Sequence, residues 1–391
     1  MKGQDEISGK PANQYPYVLF SYVMFINLGM LFAYVGPMLN TFVQKTGKDL
    51  GEISLVFSMR SLGGIMAALF GFRVYDYKQT SFVLFGVLSA QALVFTGIFF
   101  TSNYYILLAL FLMNGFFHGM IDTGGNLTIA RISSRRSSSL LSGLHSSFGM
   151  GSFLIPLLLN LFRAFTGNAS LAIWPMVALL LIIAVSFCLM KPQISFEEIR
   201  KRANAVLPKM FLPVTLVYFF FYIGVEATMA GWINNFALGL KDFTVEQASY
   251  ITSLYFALYT ISRISMIFIL VKVKNEHIIR TSITVLPIIF SLILIFFKAH
   301  IFIIGLCILS ALFIGAMFPA FISNIEKKYG LSARISSKIM VGAFSGSMFF
   351  PWLVGVLFEG CGPRSMIIIL LSISVITFSL GFILIKIMRK E

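Results

Sequence analysis

Charge is scarce in this chain. Of 391 residues only 12% are Asp, Glu, Lys or Arg, 58% are hydrophobic, and the mean hydropathy is +0.89. Soluble domains are roughly a quarter charged, so a soluble globular fold is excluded. Acids are the rarer sign, 15 against 30 basic residues, with four histidines and three cysteines. Cys188 and Cys307 fall in apolar runs and Cys361 in a short connection, which gives no metal-ligand spacing and no obvious disulfide pair. No phosphate-binding glycine loop ends in Lys-Ser/Thr, which excludes an ATP-driven pump of that type. No His-Glu-x-x-His or paired-aspartate arrangement supports an intramembrane protease. Rings of like residues from repeated segments, expected of a channel filter, are missing too. The chain is therefore read as a non-enzyme without a cofactor. Its start, MKGQDEISGKPANQ, lacks a cleavable signal pattern and leads into an apolar run too long for a signal core. The first span is expected to be its own anchor.

Long apolar runs are what the chain has in abundance. Each helical crossing needs about 20 residues, and continuous apolar runs exclude the alternating pattern of a barrel. Segmentation places spans at roughly 17 to 42, 50 to 74, 80 to 101, 104 to 130, 138 to 161, 170 to 190, 210 to 238, 245 to 271, 276 to 297, 299 to 324, 335 to 358 and 365 to 386. The expected fold is thus an all-α membrane protein of 12 transmembrane helices. Residues 1–190 form an N-terminal six-helix half, 191–209 (KPQISFEEIRKRANAVLPK) a cytoplasmic linker, and 210–391 a C-terminal six-helix half. With both termini cytoplasmic, 22 of the 30 basic residues fall in inner segments, as the positive-inside rule requires. The basic balance is then orientation plus anionic-lipid contact rather than a nucleic-acid signal. The sequons at Asn126 and Asn168 lie in or against the membrane and decide no compartment.

Internal repetition supports two parallel halves. Gly151-Ser152-x-x-x-Pro156 recurs half a chain later as Gly346-Ser347-x-x-x-Pro351, and Arg60 in span two has its counterpart Arg263 in span eight. Helices broken by glycine are expected in span one (Gly29, Gly36-Pro37) and span seven (Gly224, Gly231). Gly115-x-x-x-Gly119 reads as close packing instead.

The stretch from Met113 to Pro156 holds the first functional candidate. His118, Asp122 and Asn126 recur at i, i+4, i+8 in an apolar segment, so they share one helix face. A carboxylate within a span costs about 2.5–3.5 kcal/mol on insertion scales, so that face should look into protein or a water-filled cavity. The plainer reading is that Asp122 neutralises Arg131, Arg135 or Arg136 as a topology clamp. Glu226 is the second acid in a span, and Arg60 and Arg263 are the internal cations expected to oppose the two acids.

GMIDTGGN (119–126) with LHSSFGMGSFLIP (144–156) resembles the fourth and fifth helices of the sodium-dependent glucose transporter 1 family, a branch of the major facilitator superfamily related to fucose/proton symporters. LGMLFAYVGPMLN (28–40) and ISLVFSMRSLGGIMAALFG (53–71) resemble its first two helices, and FFYIGVEATMAGW and GSMFFPWLVG its seventh and eleventh. The family's Gly-Arg pairs are replaced by Met59-Arg60 and Ser262-Arg263, which removes the ground for expecting close helix contact there. GFRVYDYKQT is a degenerate echo of the superfamily's Gly-x-x-x-Asp loop, with Asp76 as a candidate latch.

The resemblance implies that helices one, four, seven and ten face the centre, with five and eleven beside them. The substrate-binding candidates are then Asn27, Tyr34, Asn126, His145, Ser146, Trp232, Asn235, Asn324 and Trp352, with Ser323 beside Asn324. Asp122, Glu226 and His118 are candidates for ion coupling, and Asp122 for contact with sodium. Amides, carboxylates and tryptophans together suit a hexose, whose hydroxyls need bidentate partners and whose apolar face stacks on aromatic rings. The expected function is secondary active transport of glucose or a related hexose, sodium-coupled as the resemblance implies. The alternatives are a proton-coupled hexose/fucose symporter and, from another class, a channel or non-transporting sensor. The expected setting is a monomer in the plasma membrane, with a small sugar and the lipid bilayer as its partners.

Overall fold

The computed structural model describes residues 15–77, 80–132, 137–190, 209–329 and 333–389. Its elements are helical throughout: α1 (Tyr15–Ala33), α2 (Val35–Thr46), α3 (Leu50–Ile53), α4 (Leu55–Tyr77), α5 (Thr80–Phe100), α6 (Tyr104–Ile132), α7 (Ser137–Thr166), a 3₁₀ turn (Ala169–Ala172), α8 (Ile173–Leu189), α9 (Phe211–Gly239), α10 (Val245–Lys272), α11 (Asn275–Ile295), α12 (His300–Tyr329), α13 (Ala333–Cys361) and α14 (Pro363–Arg389). Among them are 12 segments long and apolar enough to cross a membrane. At 1.5 Å per residue the 29 residues of α9 extend about 43 Å, the full thickness of a bilayer with its headgroups. Helices are the answer because every backbone N–H and C=O must be satisfied within its own segment in lipid. Twelve crossings among the described residues leave the start of α1 and the end of α14, the ends nearest the two termini, at the same end of the bundle.

The first six spans (α1 to α8) and the last six (α9 to α14) form the two halves. In the first, α1 packs on α7, α4 on α6 and α5 on α8. In the second, α9 packs on α13 and α14, α10 on α12, and α11 on α14. The halves meet where α7 faces α10, α4 faces α13, and α2 faces α9. The internal repeat has a structural counterpart. A Cβ on Gly151 would strike the Ile26 carbonyl of α1, and one on Gly346 the Phe220 carbonyl of α9. The same small residue thus seats the same helix crossing in each half.

The breaks differ from expectation in span seven. Span one is interrupted between α1 and α2 at Tyr34, whose own dihedrals remain helical. Pro37 lies four residues after Ala33 and lacks an N–H, so the hydrogen-bond ladder loses a rung there. Span seven runs unbroken through Gly224 and Gly231 as α9. A glycine weakens a helix by about 1 kcal/mol but keeps its donor, and the two glycines serve packing instead: a Cβ on Gly224 would enter the Phe350 ring, and Gly231 touches Gly36.

Close contact at the two arginines is also present, contrary to the expectation from Met59 and Ser262. The facing helix supplies the small residue: Gly115 of α6 lies against the Arg60 carbonyl, and Gly315 of α12 against Tyr259 and Ser262. Gly119 packs on Ala67, so Gly115-x-x-x-Gly119 is a packing face, as expected. The linker 191–209 (except Lys209), Arg135, Arg136 and the side chains of Arg131 and Asp76 lie outside the described residues.

The halves are joined by hydrogen bonds concentrated toward the end remote from the termini. Asn40 Nδ2 donates to Asn235 Oδ1 at 3.0 Å, and Asn235 Nδ2 to the Gly36 carbonyl at 2.8 Å. Leu50 N–H donates to Glu359 at 3.1 Å, Ser58 to the Met348 carbonyl at 2.7 Å, and Asn160 to the Glu246 carbonyl at 3.1 Å. Ser61 and Ser347 pair at 3.0 Å, deeper in the bundle. That end is sealed in this conformation.

Candidate functional site

Two constellations of polar side chains lie between the halves. The tighter one is built on α9 and α10. Tyr222 and Glu226 are one turn apart on α9, and Tyr255, Tyr259 and Arg263 follow the same i, i+4, i+8 rule on α10. Glu226 accepts from the Tyr222 hydroxyl at 2.6 Å through one oxygen and from the Tyr259 hydroxyl at 2.6 Å through the other. Arg263 lies 3.3 Å from Glu226 Oε1, with its guanidinium 4.5 Å from the Tyr259 ring centre and 5.8 Å from that of Phe318. Hydrogen bonds at these lengths to an ionised acceptor are the strong kind. A cation over an aromatic face adds about 0.5–2 kcal/mol, the upper value when desolvated. Three donors and two rings therefore hold the Glu226 carboxyl and the Arg263 guanidinium in register. The hydroxyl of Tyr255 and Nε of Arg263 are buried without a hydrogen-bond partner.

The second constellation is on the first half. Asn126 Nδ2 donates to the Asp122 backbone carbonyl at 2.9 Å. Asp122, His118, Asn126, His145 and Ser146 are all partly exposed, although their helices are apolar. The charge of Arg263 acts across the boundary between halves on both Asp122 and His145. His145 meets Phe25 edge-on at 5.9 Å, and His118 faces Phe32 and Phe148 at 6.3 and 6.2 Å. Ser146 donates to the Ser142 carbonyl at 2.8 Å.

The expected pairing of two acids with two arginines is half correct. Glu226 is paired with Arg263, but among the described residues Asp122 makes no ion pair, nor does Arg60. Depth explains this. Arg60 sits against Gly115, and seven residues of α6 at 1.5 Å put Asp122 about 10 Å deeper along the parallel helix. Arg60 instead donates to the Phe32 carbonyl at 3.1 Å and covers the Phe32 ring at 4.3 Å, acting electrostatically on His118.

Several binding candidates do not face open space in this conformation, which corrects their expected exposure. Asn27 is 0% exposed and donates to the Met176 carbonyl at 2.9 Å. Trp232, also 0% exposed, donates to the Pro351 carbonyl at 3.0 Å and packs on Phe57 and Phe358. Tyr34 is buried at the α1/α2 break against Phe95. Asn235 is committed to the seal. Asn324 turns toward Met388 of α14 at 3.6 Å, away from the centre. Trp352 is partly exposed beside Phe349, and Ser323 is likewise partly exposed. The residues that sequence reasoning missed are Tyr222, Tyr259 and Phe32. The helical spacing in YFALYTISR was a usable signal, since it places two tyrosines on the face that carries Arg263.

A bundle of 12 membrane-length helices in two similar halves, with charged groups enclosed where the halves meet, defines a polytopic membrane transporter fold. The chain belongs to the Major Facilitator Superfamily, whose profile matches residues 18–351. It is a transporter of that superfamily and an integral multi-pass membrane protein. Among its relatives are sodium-dependent glucose transporter 1A of Mus musculus, 25% identical over 382 residues (86% of this chain, 88% of the relative). Sodium-dependent glucose transporter 1 of Homo sapiens is 25% identical over 380 residues (85% and 72%). These similarities bear out the family resemblance read from the helix segments. Among solved structures, a crystal structure of the nucleoside transporter NupG superposes with a TM-score of 0.70 over 96% of this chain and 99% of that one, at 16% identity. That likeness concerns the fold.

Proposed function

We propose that the protein carries glucose or a related neutral hexose by alternating access, driven by sodium. The observation that carries this reading is the unequal state of the two acids. Glu226 is saturated by Tyr222, Tyr259 and Arg263, whereas Asp122 makes no ion pair among the described residues and is partly exposed. An unpaired intramembrane carboxylate is costly, and a bound cation relieves that cost. Asp122 is thus the group to which an inward-driven cation contributes most, with Asn126 as a neighbouring oxygen donor. Arg263 senses both acids: a cation at Asp122 leaves Arg263 to Glu226, and its departure restores the pull across the boundary.

Asn126, His145, Ser146 and Trp352 are the partly exposed members of the binding set and supply amide, imidazole, hydroxyl and indole contacts for a sugar. The halves rock about the linker 191–209, with both termini cytoplasmic, a monomeric carrier and the plasma membrane as its site. The names of the 25% identical relatives support sugar and sodium. Proton coupling is the second reading, favoured by His145, which feels the same Arg263 charge as Asp122. Uptake of labelled glucose into proteoliposomes, with sodium and proton gradients imposed separately, distinguishes the two. An amino acid, organic anion or nucleoside as the sole transported ligand overturns the hexose reading.

A further inference from the structure

A cleft of about 360 Å³ opens between the start of α11 and the end of α14, lined by Arg280, Phe382, Ile383, Ile385, Lys386 and Arg389. It lies far from the charged groups between the halves. The nearby acid Glu276 is already engaged by Arg389 at 2.7 Å, so the charges left in the cleft are Arg280 and Lys386. Among the described residues neither makes an ion pair. The guanidinium of Arg280 lies 5.8 Å from the Phe382 ring centre, and its Nε is buried without a hydrogen-bond partner. On the outer side Phe382 and Ile383 are 38% and 48% exposed, as lipid-facing side chains are.

Depth narrows the ligand. Arg280 is the sixth residue of α11 and Lys386 the fourth from the end of α14, which at 1.5 Å per residue puts both within about 8 Å of the helix ends. This is headgroup level, at the end where both termini lie. A basic pair at that depth, beside an apolar wall that continues into the hydrocarbon, complements a negatively charged phosphate with acyl chains attached. We propose that this cleft is a binding site for an anionic phospholipid, with Arg280 and Lys386 on the phosphate and Phe382 and Ile383 along the first part of a chain.

The test is independent of the transported substrate. The whole protein is placed in nanodiscs of phosphatidylcholine with or without phosphatidylglycerol, and its thermal stability and co-purifying lipid are measured. Phosphatidylglycerol should raise the melting temperature, and binding should weaken about fivefold for each basic charge removed at the site in Arg280→Gln and in Lys386→Gln. Lys386 is exposed, so its variant keeps the test sound if Arg280→Gln folds poorly. Lys272→Gln with Lys274→Gln, which removes two charges from the same end, should leave the effect intact. The proposal is overturned if this control loses the effect equally, because the attraction is then diffuse, or if inorganic phosphate reproduces the stabilisation in neutral nanodiscs.

Discussion

At the scale of single residues, the two intramembrane acids predict opposite mutational behaviour for the same chemical change. Glu226→Gln leaves Arg263 without its charge partner while two tyrosine hydroxyls still point at the site. Breaking a buried ion pair on one side costs about 3–5 kcal/mol, so this variant should accumulate poorly in the membrane. Asp122→Asn strands no described arginine, keeps the size of the side chain, and removes only the ability to balance a cation. Normal abundance, lost gradient-driven uptake and retained sugar exchange are expected; full sodium-driven accumulation would remove Asp122 from the mechanism. Tyr259→Phe falls between these cases. It deletes one hydrogen bond to a carboxylate, about 1.5–3 kcal/mol, while Tyr222 and Arg263 remain. Its melting temperature should drop measurably with uptake impaired but present, and an unchanged melting temperature would argue against the bond at 2.6 Å.

At the scale of helices, the 12 crossings were legible because span length and apolar composition answer directly to bilayer thickness. The break at Tyr34 was legible from Pro37. The continuity of α9 was not, since glycine permits a break without requiring one. The closeness at Arg60 and Arg263 was hidden for another reason: the small residue that permits it sits on the opposite helix, as Gly115 and Gly315. The identity of the coupling candidates could be read from rarity alone. Their pairing could not, because the relative depth of Arg60 and Asp122 depends on how α4 is set against α6. The crossing of α2 and α9 yields its own prediction. A Cβ on Gly36 would stand 2.6 Å from the Gly231 carbonyl, so Gly36→Val overpacks only the sealed conformation. Overpacking costs about 1–3 kcal/mol, enough to shift a two-state equilibrium about tenfold. A cysteine at Asn235 should then label faster from the side remote from the termini than in the parent protein, and equal labelling would show that the seal tolerates the extra methyls.

At the scale of the whole molecule, the proposed orientation makes the turns after α2 and α9 extracellular. Single cysteines at Lys45 and Lys241 should react with an impermeant thiol reagent added outside intact cells, whereas those at Arg135 and Lys201 should react only after permeabilisation. The reverse pattern would invert the topology, and the positive-inside bias with it.

The composition of the seal has a further consequence. Most bonds that join the halves there are made by amides, hydroxyls and backbone carbonyls; the charged groups that take part, among the described residues, are Glu359, which accepts from the Leu50 N–H, and the ion pair of Arg163 with Glu246 at 3.9 Å, both at the solvent-exposed rim. Each such neutral bond exchanges for one with water at a net difference of only about 0.5–1.5 kcal/mol, and none depends on ionic strength in the way a charged latch would. Opening is therefore a hydration event. The gate should work nearly alike in dilute and saline surroundings, so that under the proposed coupling the sodium concentration would act as fuel without also loosening the door.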